Sequence, residues 1–126
     1  MTAGEGRIRP RDLLRVTSRR PDVGFEAELL EVSGEVDLFS VQVLENAITE
    51  ALGRDPALLV IDLTGVSFLA SVGMTVLLKV YREAGRTTRL RVVTPERSTV
   101  GRALELTGLT EALAVAASQS DALSRD

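Results

Sequence analysis

The stretch from Asp62 to Met74 contains the residues best placed for chemistry in this chain. Ser71 lies where an apolar strand would give way to a helix, at or beside the helix N-cap. Backbone N–H groups at a helix start lack partners within the helix and favour negative charge. A serine hydroxyl there could accept a phosphoryl group, which adds roughly −1.5 to −2 charge. The competing interpretation is that Ser71 only caps the helix.

Composition argues against catalysis by Ser71 itself. The sequence has no His and no Cys, so it cannot supply a Ser-His-Asp triad, a thiol nucleophile or a His- or Cys-bound metal. The segment Ala70-Ser-Val-Gly73 also lacks the Gly-x-Ser-x-Gly pattern of a nucleophile elbow. We therefore predict that the protein is not an enzyme and uses no metal or other cofactor.

Other common binding sites are not predicted either. No Gly-Lys-Ser/Thr phosphate loop occurs. The acidic residues between Glu26 and Asp37 alternate along a predicted strand, which is typical of a solvated edge rather than a metal site. With no Trp, three Phe and one Tyr, the chain offers no stacking surface for nucleic-acid bases.

The elements that must position Ser71 follow from hydrophobic periodicity. The 126 residues, 44% hydrophobic and 26% charged, indicate one globular α/β domain. We predict a mixed sheet of four to five strands packed with three to four helices. The predicted strands are Leu13–Val16, Phe25–Ser33, Ala57–Leu63, Arg89–Val93 and Ala112–Ala116. The predicted helices are Leu38–Leu52, Ser71–Ala84, Ser98–Gly108 and a terminal turn within Ser118–Ser124.

Two connections are predicted to carry function. Strands that alternate with helices imply parallel crossovers, and functional loops then lie beyond the carboxyl ends of strands. The two connections are Ser33–Ser40 and Thr64–Met74. In the first, Asp37 or Ser40 would cap the next helix. Gly53 is expected to be the left-handed residue that ends the first helix.

Domain boundaries and charge complete the outline. We predict a flexible arm over residues 1–11, one domain over 12–118 and a helical turn or tail over 119–126.

The net charge is −3, yet residues 21–63 sum to −9 and residues 79–102 to +5. Such a dipolar surface could steer a protein partner, with ordinary solvated faces as the alternative. No secretory signal or membrane span is recognisable, so we expect a cytoplasmic protein without membrane insertion.

Three motifs together resemble the STAS family, the sulfate transporter and anti-sigma factor antagonist domains. The main motif is Asp62-Leu-Thr-Gly-Val-Ser-Phe-Leu-Ala-Ser-Val-Gly-Met74, which is followed by an apolar helix. Ser33-Gly-Glu-Val-Asp-Leu38 and Leu104-Glu-Leu-Thr-Gly-Leu109 match two further family segments in the right order. The resemblance covers about residues 12–118.

The resemblance implies a bacterial anti-sigma factor antagonist. Such a protein binds an anti-sigma factor of the Ser/Thr kinase type and frees its sigma factor, until the kinase phosphorylates the antagonist. A phosphoserine phosphatase resets the switch. Carried over, Ser71 is the phosphorylated residue. Thr64 and Ser67 lie close by in the sequence, which leaves additional phosphorylation sites open. The implied partner-binding residues are Glu35, Asp37, Leu38, Thr64, Gly65, Ala70, Val72, Gly73 and Met74.

The sequence departs from the family pattern beside the phosphorylation site. Ala70 replaces the family's Asp, and Val72 replaces Ser or Ala. Ala70, Val72 and Met74 would form a small apolar rim, with the core as the alternative, favoured for Val72. The departures leave a second interpretation open, namely a non-phosphorylated STAS module that serves as a transporter-accessory subunit or a small-ligand sensor. The oligomeric state is expected to be a monomer or a weak dimer.

Overall fold

The computed structural model describes residues 13–84, 87–95 and 97–124 and contains one five-stranded sheet. The predicted arm at 1–11 lies outside these residues. In spatial order the strands are β1 to β5, with β1 antiparallel to β2 and the other neighbours parallel. Their bounds are Leu14–Arg19, Ala27–Val36, Leu58–Leu69, Arg89–Val93 and Val115–Ala116. The predicted α/β class and parallel crossovers are confirmed.

Five helices connect or follow the strands in the described part of the chain. Their bounds are α1 Val41–Gly53, α2 Ser71–Ala84, α3 Thr99–Leu106, α4 Leu109–Ala112 and α5 Gln119–Ala122. Leu44 and Ile48 of α1, Leu77 of α2 and Leu104 of α3 are fully buried in one core with the sheet. Helix periodicity predicted α2 to the residue, and Ser98 accepts from the Gly101 N–H at 2.9 Å, as a cap of α3. Within the described residues no helix is long and apolar enough to cross a membrane.

Strand β3 is longer than predicted, and this changes the surroundings of Ser71. The expectation that this strand ends at Leu63 and that a connection begins at Thr64 is wrong, because β3 continues to Leu69. The pairing of β2 with β3 skips one residue of β3 between Asp62 and Gly65, and another between Val66 and Phe68. Such bulges interrupt the alternation of buried and exposed side chains on which the prediction depended.

The opposite face of the sheet has a smaller core. Leu29, Val60 and Val93 belong to this cluster, and Ala122 of α5 is completely buried in it. Gln119 of α5 donates from Nε2 to carboxylate oxygens of Glu31, at 2.9 Å, and of Asp62. The C-terminal segment therefore packs on the sheet through both apolar and polar contacts.

Glu28 is a buried carboxylate at the start of β2, with 2% of its surface exposed. Arg54, which follows α1, donates from Nε to Glu28 Oε1 at 2.9 Å and forms a second bond to Oε2. Ser18 of β1 also donates to Oε2 at 2.9 Å. The Arg54 hydrogen bonds lower the pKa of Glu28 below its ordinary value, against the opposing effect of burial. Glu28 thus joins β1, β2 and α1 at the amino end of the sheet.

The free energy of unfolding is expected to fall in acid because of Glu28. A lowered native pKa means that this stabilisation is complete above the ordinary glutamate pKa and is lost as pH falls through the native value. Glu28→Gln should lose about 1–3 kcal/mol at neutral pH and flatten the acid limb of the stability curve. Urea unfolding from pH 7 to pH 3 checks this. The exposed Glu26→Gln is the matched control, and an equally flat curve for that variant would contradict the assignment.

Candidate functional site

The two predicted segments meet at one end of the sheet. Val36, the last residue of β2, accepts a hydrogen bond at 2.8 Å from the N–H of Ala70, the residue before α2. One residue earlier, Glu35 pairs with Phe68. The ends of β2 and β3 extend beyond β4, whose pairing stops at Asp62. The segment after β2 and the start of α2 are therefore neighbours at this end.

Asp37 shapes the turn that follows β2. Its Oδ1 accepts from the N–H groups of Phe39, at 2.9 Å, and Ser40, at 3.0 Å. Ser40 occupies the N-cap position of α1, but its side chain makes no cap hydrogen bond and donates instead to the Glu35 carbonyl at 2.6 Å. Asp37 therefore has a structural role, which is to hold the turn that presents Leu38 and Phe39. Both of those side chains are 73% exposed.

Ser71 is the first helical residue of α2 and is exposed. Ala70 occupies the N-cap position, since its carbonyl accepts from the N–H groups of Gly73 and Met74. The Ser71 hydroxyl makes no hydrogen bond to any residue that the structure describes. The interpretation that Ser71 is only a cap therefore lacks its defining contact. The geometry leaves the hydroxyl open to another molecule at a helix start that favours negative charge.

The first turn of α2 orients the other predicted residues. Gly73 is buried, and Met74 packs against the main core, where its Sδ accepts from Thr107 Oγ1 at 3.9 Å. Val72 and Ala70 are half-buried and belong to neither core cluster. The expected core position of Val72 is thus wrong, and Met74 rather than Val72 faces the core.

Gly73→Ala is expected to destabilise the protein by about 1–3 kcal/mol, although Ala is normally the better helix former. A Cβ at Gly73 would lie 2.6 Å from Leu69 Cδ1 and 2.7 Å from Val36 Cγ1, so the contact at the β2 and β3 ends would have to open. Gly53→Ala is the matched control, since a Cβ there meets nothing within 4 Å. Chemical denaturation of both variants checks this, and equal stabilities would contradict the close packing.

Gly53 and Gly65 differ from their predicted settings. Gly53 is the last residue of α1, and the left-handed residue is Asp55, with φ of 52°. Gly65 lies inside β3 beside Ser33, where a Cβ would come within 2.9 Å of the Ser33 Cβ. Thr64 and Gly65 precede Leu69 by roughly 13–17 Å of strand. The structure therefore does not bring them to Ser71, and their predicted role in binding stays a prediction.

Sequence reasoning missed two aromatic residues at this end. Phe39 is 73% exposed beside Leu38, and Phe68 is 47% exposed at the second bulge of β3. The exposure of Phe39 could have been expected from the sequence, because Leu38-Phe39 is a large apolar pair between the turn residues Asp37 and Ser40. We call Leu38, Phe39, Phe68 and Ser71 the Ser71 face. It combines exposed apolar side chains with one unpartnered hydroxyl, an arrangement suited to binding protein.

Comparison with known proteins identifies the family. The model of the STAS domain matches residues 19–122. The chain belongs to the STAS domain family. This assignment confirms the family that the three motifs indicated.

Named relatives support the assignment. The anti-sigma-F factor antagonist RsfB of Mycobacterium tuberculosis is 36% identical over 95 residues, which span 75% of this chain and 77% of RsfB. A crystal structure of an anti-sigma factor antagonist from Mycobacterium paratuberculosis is 33% identical, with a TM-score of 0.80 over 92% of this chain and 96% of that one. The unphosphorylated form of SpoIIAA, at 20% identity, shares the fold with a TM-score of 0.66, over 86% and 95% of the two chains.

Proposed function

We propose that this STAS protein is an anti-sigma factor antagonist that acts by binding. It binds a kinase-type anti-sigma factor through the Ser71 face and thereby frees the sigma factor. Phosphorylation of Ser71 by that kinase ends the interaction, and a phosphoserine phosphatase restores it. The observation that carries the proposal is the exposed, unpartnered Ser71 hydroxyl at a helix start, at the same end of the sheet as exposed apolar residues.

The apolar part of the face supplies the binding energy. Leu38 and Phe39 each leave 73% of their surface in water, and burial of such a side chain is worth roughly 1.5–3 kcal/mol. Their turn is fixed by Asp37 and Ser40, so little conformational entropy is lost when a partner covers it. Of the two apolar side chains, Phe39 is the kind of aromatic anchor on which a binding hot spot is built.

Ser71 supplies the switch. A neutral hydroxyl can enter a desolvated interface at small cost, whereas a doubly charged phosphate without a cation there costs several kcal/mol. The acidic side chains of Glu35 and Asp37 belong to the neighbouring segment and would repel the phosphate further. Because Ser71 is open to the partner, a phosphate on Ser71 weakens the proposed complex.

The proposed function is tested by capture from a lysate of the native host. Wild-type, Ser71→Ala and Ser71→Asp chains serve as baits, and mass spectrometry identifies the retained proteins. The proposal requires an ATPase-type anti-sigma factor on the first two baits and its loss from the third. Retention by all three would refute the switch at Ser71. Capture of a transporter ATPase would instead favour the accessory-subunit interpretation.

Ala70→Asp is expected to stabilise the free protein by about 1 kcal/mol. Ala70 occupies the N-cap position of α2, where Asp is a strongly preferred residue and Ala a poor one. Ala70→Asn keeps the capping side chain without the charge, so it separates the effect of the cap hydrogen bond from the effect of the negative charge. Thermal unfolding of both variants checks this. A loss of stability in the Asp variant alone would show that charge at this helix start is unfavourable before any phosphate is added.

A further inference from the structure

A second candidate site lies at the carboxyl ends of β4 and β5, apart from the Ser71 face. Thr94 and Pro95 follow β4, Ala117 follows β5, and Gly101 and Glu105 of α3 face them across a cavity of about 200 Å³. The cavity shares no lining residue with the Ser71 face. Crevices beyond the carboxyl ends of parallel strands are where open α/β sheets bind ligands.

Two hydroxyl groups in this cavity lack partners. Thr94 is only 4% exposed, yet its hydroxyl makes no hydrogen bond to any described residue. Thr110 Oγ1 is a buried atom that also has no hydrogen-bond partner in the described part of the chain. A buried polar atom without a partner costs about 1–3 kcal/mol, so a native structure that keeps Thr110 Oγ1 unpaired needs a reason. A bound polar molecule would satisfy both hydroxyls.

The cavity has one charge of each sign at its wall. Arg97 lines it and has a φ of 64°, in the left-handed region that non-glycine residues rarely adopt. Glu105 lines it from α3, and the remaining walls are Val115, Ala116 and Ala117. Backbone strain of this kind clusters at ligand clamps. An anion alone would suit Arg97 and be repelled by Glu105, and a cation alone would suffer the reverse.

We propose that this cavity binds a small zwitterion of the α-amino acid class. The carboxylate would pair with Arg97, the ammonium group with Glu105, and the Thr94 and Thr110 hydroxyls would hydrogen-bond to the polar atoms of the ligand. Pockets for drug-sized molecules and nucleotides occupy roughly 300–1,000 Å³, so 200 Å³ selects a smaller molecule.

Titration of the ¹⁵N-labelled full chain with L-serine tests the proposal. Saturable shifts are expected at the amides of Gly101 and Ala117, which face the cavity. Acetate and methylammonium, each with one of the two charges, should bind at least about tenfold more weakly. Thr94→Val should weaken L-serine binding about fivefold or more, while Thr99→Val, an exposed threonine outside the lining, should not.

The outcomes separate three accounts of the cavity. Saturable L-serine shifts that Thr94→Val weakens and Thr99→Val spares would support the proposal. No saturable shift with any probe would mean that the cavity holds only water, and acetate binding as tightly as L-serine would mean an anion site; either result overturns the proposal. The spectrum of Thr94→Val itself reports whether the variant folds. Arg97→Ala is a second variant that should lose L-serine binding. Because the Arg97 side chain is exposed, this substitution should leave the fold intact.

Discussion

Ser71→Asp is expected to weaken binding of the anti-sigma factor by well over tenfold. The exposed Ser71 lies at the start of α2, at the end of the sheet that also carries Leu38, Phe39 and Phe68. In the proposed complex, a partner that covers these apolar side chains also covers Ser71. An unpaired carboxylate in that contact loses its hydration without compensation. Calorimetric titration of the purified partner into wild-type and variant chains measures the loss.

Two control variants show whether the effect of Ser71→Asp comes from the charge, from the size of the new side chain or from its position. Ser71→Asn has nearly the shape of Ser71→Asp without its charge and should bind closer to wild type. Thr75→Asp puts the same charge one turn further along α2, at another exposed position, and should have a smaller effect. Equal affinities for Ser71→Asp and wild type would contradict the proposed switch. Equal losses for both acidic variants would mean that the partner senses net charge rather than the Ser71 site.

Leu38→Ala and Phe39→Ala are each expected to reduce partner affinity by about tenfold or more. Both residues are mostly exposed in the free protein and would be buried in the complex, and about 1.4 kcal/mol corresponds to tenfold in affinity. Because neither residue belongs to a core cluster, the stability of the free chain should change by less than about 0.5 kcal/mol. Titration and urea unfolding of the same preparations check both expectations.

Tyr81→Ala is the matched control for these variants. Tyr81 is also an exposed aromatic residue, at 41%, but it lies about 15 Å from Ser71 along α2. Full affinity for Tyr81→Ala together with loss for Phe39→Ala would locate the contact at the Ser71 face. Unchanged binding by both Leu38→Ala and Phe39→Ala would place the partner elsewhere on the domain.

The sequence predicted those elements whose local patterns agree with their packing. Helix α2 begins at Ser71 and ends at Ala84 in the structure as in the prediction, because a regular apolar stripe lies between recognisable ends. The end of β3 was mispredicted because bulges expose Thr64-Gly65 and Ser67-Phe68 as pairs, a pattern that resembles a loop. The end of β3 is determined by its pairing with β2, which continues to Leu69.

The candidate site could be located from sequence but not described in full. Ser71 and the turn at Asp37 follow from motif positions, and the structure brings them together through the Ala70–Val36 hydrogen bond. Gly73 packs closely against Leu69 and against Val36, which is distant in the sequence, and this contact could not be predicted from the periodicity of α2. Met74 therefore faces the core, and Val72 does not. The exposure of Phe39 and Phe68 could not be predicted from residue type, since most aromatic residues are largely buried.

Phosphate incorporation by the partner kinase tests the central claim most directly. The purified chain is incubated with its anti-sigma factor and ATP, and peptide mapping locates the phosphate while gel filtration follows the complex. The account predicts one phosphate, on Ser71, with loss of the complex as phosphorylation proceeds and no loss in Ser71→Ala. Loss of the complex with Ser71 unmodified, or phosphate only on the exposed Thr64 or Ser67 of β3, would contradict it.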